Sequence, residues 1–178
     1  MGIIHQDPAV QVILLPLIIF ALSFHEFAHG WMAYRFGDPT ALHQGRLTLN
    51  PLAHLDPFGT LVLYLVGFGW AKPVPVNPGY FRRPQTGMAI VGVAGPAVNI
   101  VLSVAAALIF RFVVAVHLDI GQAAAQMLVY AVIINIVLAT FNMVPIPPLD
   151  GSRVIVPFLP REAALAYRQL EPYGFLII

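Results

Sequence analysis

Ser23-Phe24-His25-Glu26-Phe27-Ala28-His29-Gly30 holds the residues best suited to chemistry in this chain, at the inner end of a long apolar run. On a helix, side chains four apart project from one face, so His25 and His29 can grip a single metal ion while Glu26 stays free of it. That layout suits hydrolysis at zinc. An ion with three protein ligands keeps a fourth position for water and lowers that water's pKa to about 7; a nearby carboxylate can take the proton and pass it to a leaving amine. Glu26 is placed for that job. With 6 His, and Glu only at 26, 162 and 171, chance would produce His-Glu-x-x-His in roughly 1 such chain in 300. The setting sharpens the signal, because ionisable side chains inside a membrane span are costly and three in five residues demand a function.

The elements that must position these residues belong to a membrane protein. The 178 residues are 59% hydrophobic and 10% charged, with a mean hydropathy of +0.82, beyond the apolar share of a soluble domain. No polar linker, low-complexity tract or internal repeat divides the chain, so residues 1–178 read as one membrane-embedded domain. The absence of cysteine excludes disulfides and thiolate ligands, leaving nitrogen and oxygen to hold any zinc. A net charge of +1 gives no reason to expect nucleic acid. Met1 to Pro8 has no Lys or Arg ahead of its apolar run and no small-residue cleavage site follows, so an uncleaved first span is expected.

Val10 to Ala33 is long enough to cross a bilayer, with Pro16 expected to kink it. Arg35 to Gly59 is punctuated by Gly, Asp and Pro too often for a helix, yet Arg46-Leu47-Thr48-Leu49 alternates like a short half-buried strand. Thr60 to Trp70 is apolar but too short to span, which favours a re-entrant or interfacial segment. Lys72-Pro73-Val74-Pro75-Val76-Asn77-Pro78 suits an extended edge. Gly87 to Val116 and Ala123 to Phe141 are the second and third spans, and prolines break the chain from Asn142 to Asp150. Arg161 to Leu170 reads as a short surface helix, and Phe175 to Ile178 as the opening of a further span cut short. The expected fold is therefore an all-α polytopic membrane protein: three full transmembrane helices, a re-entrant segment, a small β-hairpin or sheet on the cytoplasmic side, and a truncated C-terminal span.

Basic residues set the orientation. Arg35, Arg46, Lys72, Arg82, Arg83, Arg153, Arg161 and Arg168 fall on one side and only Arg111 on the other, which puts the first side in the cytoplasm and the N-terminus outside. The first and third spans then run in the same direction, and Asp150, just past the third, lies at the depth of His25 and His29. A third ligand is thus available. Asp38 and Asp56 sit in turn-rich sequence and read as turn-formers, and Asp150 before Gly151 could be a turn aspartate as well.

His25-Glu26-Phe27-Ala28-His29, the Gly95-Pro96-x-x-Asn99 element, and Asn142-x-x-Pro145-x-Pro147-x-x-Asp150-Gly151 together resemble the site-2 protease family of intramembrane zinc metalloproteases. Gly45 to Pro51, Asp56 to Thr60 and Lys72 to Pro78 are similar to its compact prokaryotic branch, which lacks a PDZ domain. The resemblance implies one zinc ion per chain on His25, His29 and Asp150, with Glu26 as base. It also implies single-pass transmembrane substrates in the lipid bilayer, cut near the cytoplasmic face of the cell membrane. The substrate's identity, the oligomeric state and the gate are not legible.

A helical substrate hides its amides and must be unwound before a carbonyl carbon can be reached, so an exposed strand could hold it extended. Arg46, Leu47, Thr48 and Leu49, with Val74 to Asn77, are the candidate platform; a hairpin that merely plugs the loop is the bland alternative. Asn99 and Asn142 are candidate oxyanion or substrate contacts, or else interhelical ties. Gly92 and Gly95 read as close-approach residues for helices. His43 and His54 are solvated loop histidines, or gating or auxiliary metal contacts as the resemblance allows. A catalytically inactive membrane scaffold or a metal-handling membrane protein is the rival to an enzyme.

Overall fold

The structure is a computed structural model that describes residues 3–67, 69–170 and 174. In chain order its helices are α1 (Pro8–Arg35), α2 (Thr40–His43), α3 (Pro57–Val66), α4 (Pro84–Ala115), α5 (Gly121–Asn142), α6 (Asp150–Ile155) and α7 (Arg161–Arg168). As the sequence leads one to expect, α1, α4 and α5 are long and apolar enough to cross a membrane. Helix α1 continues through Pro16 and α4 through Pro96. The further span expected at Phe175 to Ile178 lies outside the described residues.

Helix α4 is central, packing against α1, α5 and α6. Its pattern explains why. Gly87, Val91, Gly95, Asn99, Ser103 and Ala106 recur every three or four residues and are buried, whereas Val101, Leu108 and Phe112 point outward. Small residues on the inner face let neighbouring backbones approach, and bulky apolar ones on the outer face suit lipid, where burial of apolar groups gives no drive to associate. Helix α1 answers with Leu17, Ala21, His25, His29 and Ala33, a buried stripe of period four, and α5 contributes Asn135 and Ala139. His25 and His29 are thus part of the packing seam itself.

Helix α3, capped by Asp56 through a 2.7 Å bond from the Gly59 amide, is too short to span. The chain reverses at Gly67, whose φ of 87° suits glycine, and returns beside α3. A Cβ on Gly69 would lie only 2.5 Å from Leu63 Cβ, and Leu55 and Ala71 form an isolated antiparallel bridge. The segment goes out and comes back beside itself.

The expected β-hairpin is absent: among the described residues there is no strand. Isolated hydrogen bonds, most of them involving side chains, hold both of its intended halves in place of a ladder. Pro73, Pro75 and Pro78 have no amide proton to offer. The Lys72 amide donates to the His54 carbonyl at 2.8 Å, and the Val74 and Asn77 amides donate to the carboxylates of Glu26 and Asp38 at 2.9 and 2.6 Å. On the other half, the Arg46 guanidinium donates to the Lys72 carbonyl and His54 Nε2 meets the Thr48 carbonyl at 2.7 Å. Residues 72–77 form an extended strap along α1.

Candidate metal centre

His25 and His29 lie one turn apart on α1, both buried, and Asp150 in the first turn of α6, which packs on α4, reaches them. Helix α6 can settle there because α4 presents Gly92, where a Cβ would come within 3.1 Å of the Asp150 carbonyl oxygen and 3.3 Å of Arg153 Cβ. His25 Nε2 and His29 Nε2 lie 3.0 Å apart, and Asp150 Oδ2 is 3.0 Å from the first and 3.1 Å from the second. Among the described residues, these three are the group of His, Asp and Glu side chains that could hold a metal ion.

The fit of this trio to a cation can be judged from where the ring protons are. His29 Nδ1 sits 2.7 Å from the Val91 carbonyl oxygen, which can only accept, so the proton is on Nδ1. His25 Nδ1 sits 2.6 Å from Asn99 Oδ1. The orientation of that amide is fixed from behind, because Asn99 Nδ2 donates to Asn135 Oδ1 at 2.7 Å and to the Ala21 carbonyl at 3.3 Å. His25 therefore donates from Nδ1 as well. In neutral rings both Nε2 atoms are then bare lone pairs, turned toward each other and toward a carboxylate oxygen. Three acceptors with no proton among them repel, and a cation at their centre reverses the sign of the interaction. Zinc at about 2.0–2.1 Å from tetrahedral donors would separate them by about 3.3–3.4 Å. The observed spacing is a few tenths of an ångström tighter, so the residues fit the ion with a small outward adjustment.

Without an ion, protons compete for the same lone pairs. Burial pushes the Asp150 carboxyl up, but where the Nε2 atoms carry protons the hydrogen bonds from His25 and His29 outweigh it and hold the group well below the ordinary carboxylate range. Arg153 Nη1, 3.6 Å from Oδ1, adds a positive neighbour.

Beside the trio lies a cavity of about 290 Å³. One wall is α1 with His25, Glu26 and His29, and another is the strap and its approach with Trp70, Pro73 and Val74. The third runs from the end of α5 to the start of α6, with Phe141, Asn142 and Asp150. Glu26 is half-buried there, its Oε2 accepting from the Val74 amide. The site can hold a cation, present a carboxylate beside it and admit a segment of chain.

The remaining expected site residues are distributed differently. Asn142 lines the cavity, though its Nδ2 donates to Leu138 of its own helix at 2.9 Å. Asn99 is fully buried behind His25 with both ends of its amide engaged, so it acts as a tie between helices. Arg46, Leu47, Thr48 and Leu49 do not line the cavity; Arg46 is buried against the strap and Leu49 is exposed. His54 is buried under the Thr48 carbonyl and His43 is exposed at the end of α2, both outside the metal-binding group. Asp38 is a turn residue and more, since it also binds the strap.

Several contributors carry no sequence signature. The Val91 carbonyl and the Val74 amide are backbone atoms. Gly95, expected to serve helix packing, lies directly against the ligand atoms: a Cβ there would fall 2.6 Å from His25 Nε2 and closer still to His29 Nε2. Asn135 was detectable only as a polar residue inside a span.

Comparison with known proteins agrees with this chemistry. The family model "Peptidase family M50" matches residues 113–170, an interval that contains Asp150. The chain is 40% identical over 164 residues to "Putative zinc metalloprotease YwhC" of Bacillus subtilis, covering 90% of this chain and 75% of that protein. It is 32% identical to "Putative zinc metalloprotease Rip2" of Mycolicibacterium smegmatis and 29% identical to that of Mycobacterium tuberculosis. Those alignments cover 90% and 89% of this chain and 62% and 61% of the mycobacterial proteins, so the chain spans about three fifths of their length. No solved structure matches. The chain belongs to peptidase family M50, the site-2 protease family of zinc metalloproteases.

Proposed function

We propose that this chain is an intramembrane endopeptidase that hydrolyses peptide bonds within or near transmembrane segments of single-pass membrane proteins. One zinc ion per chain is held by His25, His29 and Asp150, and Glu26 is the general base. The observation that carries this reading is the convergence of two bare imidazole nitrogens and a carboxylate oxygen at 3.0–3.1 Å, beside a glutamate that lines the same cavity.

Zinc, when bound, supplies a Lewis acid that acidifies water and polarises a carbonyl. The chain's own residues do the rest. Asn99 and the Val91 carbonyl hold the two imidazoles in the tautomer that presents Nε2. Glu26 takes a proton from the attacking water as the new C–O bond forms, and delivers it to the amine nitrogen as the C–N bond breaks. The cavity between α1, the strap and the end of α5 receives the substrate after its helix has been unwound, because a helical segment keeps its carbonyls in internal hydrogen bonds. The domain, residues 1–178, crosses the cell membrane on this reading, which the apolar outer faces of α1, α4 and α5 support. The N-terminus lies outside and the active site near the cytoplasmic side, a reading supported by the excess of basic residues on one side. The out-and-back excursion of α3 is the re-entrant segment.

The test is Glu26→Gln, with a single-span membrane protein as substrate in detergent. Cleavage should be abolished with one zinc per chain retained. Loss of both zinc and activity would instead favour a structural or metal-handling protein, and persistence of cleavage would remove Glu26 from the mechanism.

A further inference from the structure

Glu26 and Asp38 both leave the α1 end of the molecule, and both grip the same strap. The strap runs along the last turns of α1: Val74 lies over Gly30, where a Cβ would meet Val74 Cγ1 at 3.2 Å, and Val76 packs against the cluster around Ala33. Asn77 then meets Asp38, three residues past the end of the helix. Glu26 and Gly30 are four apart and share a face of α1. The small residue at 30 lets the strap come down far enough for the Val74 amide to reach Glu26 Oε2 at 2.9 Å.

The strap is pinned at both ends. At its far end Asp38, fully buried, accepts from the Asn77 amide at 2.6 Å through Oδ2, and its Oδ1 accepts from the Thr40 amide at 2.9 Å and the Thr40 hydroxyl at 2.5 Å. At its near end the Lys72 amide donates to the His54 carbonyl, and the Lys72 carbonyl accepts from Arg46. His54 and Arg46, which the sequence offers as metal or substrate contacts, are both used here to hold the strap. Pro73 and Pro75 stiffen the segment on either side of Val74 and leave the Val74 amide as the donor between them.

We infer that the strap is a positioning device for the base: Asp38, Arg46 and His54 fix residues 72–77 so that the Val74 N–H orients the Glu26 carboxylate toward the His25–His29–Asp150 trio. The inference rests on the reading of Glu26 as the base. A carboxylate on two rotatable bonds beyond Cβ has several rotamers, and a charge-assisted bond from a rigid amide selects one of them. Catalysis is sensitive to such placement, since a misplacement of about 1 Å can cost about 100-fold in rate. The strap contributes orientation of the Glu26 carboxylate.

Val74→Pro deletes this one donor within a run of prolines that an extended backbone accommodates, whereas Val74→Ala keeps the donor and removes the side chain. Purified zinc-loaded chain would be assayed on a synthetic single-span peptide bearing a fluorophore and a quencher. Val74→Pro should show kcat about tenfold or more below Val74→Ala, with KM within about twofold and zinc content unchanged. Asp38→Asn, which replaces the oxygen that receives the Asn77 amide, should lower kcat in the same direction. A readout independent of turnover is available because Glu occurs only at 26, 162 and 171. In a chain labelled with carbon-13 glutamate, the Glu26 carboxylate band is the one lost in Glu26→Gln. It should move to higher frequency in Val74→Pro, where the donor is gone, and stay in place in Val74→Ala.

Equal kcat in the two Val74 variants with an unmoved band would overturn the inference, as would a rise in KM alone, which would make the strap a substrate contact. If Val74→Pro does not fold, Asp38→Asn decides: wild-type kcat and an unmoved band refute the device. Failure of the underlying reading is distinct, because Glu26→Gln would then still cleave.

Discussion

Gly95 lies against His25 so closely that a single added methyl group would sit 2.6 Å from Nε2, in the space where the ligand lone pairs converge. The seam between α1 and α4 is therefore both a packing surface and one wall of the candidate metal centre. In the membrane, close helix approach depends on small residues, and here one of them also keeps the centre of the site open.

Gly95→Ala should consequently remove zinc without unfolding the chain. The added methyl has an intact helix on its own side and displaces only the imidazoles. Zinc content should fall from one per chain to near zero while the helical circular dichroism is retained. Normal zinc content in a folded variant would mean that the imidazoles are not the ligands.

Asn99→Ala should weaken zinc binding about 10- to 100-fold, the range over which loss of an outer partner of a ligating histidine acts. His25 loses the acceptor that keeps its proton on Nδ1, and the Asn135 oxygen loses its donor. Competition with a graded series of chelators measures this. Unchanged affinity would reduce Asn99 to a helix tie with no influence on the site.

Acid should strip the metal, and the direction is set by the ring nitrogens. Each Nε2 lone pair is available to the ion only while unprotonated, so lowering the pH adds protons and releases zinc. Zinc retained at about pH 7.5 should be largely lost by about pH 5, because metal affinity falls as its ligands take up protons. Retention that does not change over this interval would contradict ligation by histidine.

The parts of the site legible in the sequence are those with a side-chain periodicity. His25, Glu26 and His29 stand out because four residues make about one helical turn, and the three spans because a bilayer demands a long apolar run. Asp150 was reachable only through the directions of the spans and the family resemblance. Arg46 to Leu49 misled because polar and apolar residues alternate there as in a strand. In the folded chain the Arg46 guanidinium turns to the Lys72 carbonyl, and prolines and carboxylates consume the amides that a partner strand would need. The Val91 carbonyl and the Val74 amide could not have been found, since backbone groups are the same at every residue and only the fold selects them.

The most direct test of the central claim is X-ray absorption at the zinc edge, on wild-type chain and on Asp150→Ala. The wild type should contain one zinc per chain with two imidazoles and oxygen in its first shell, and Asp150→Ala should lose most of its zinc. A wild-type shell without two imidazoles, or an Asp150→Ala variant with the same zinc content and the same spectrum, would contradict it.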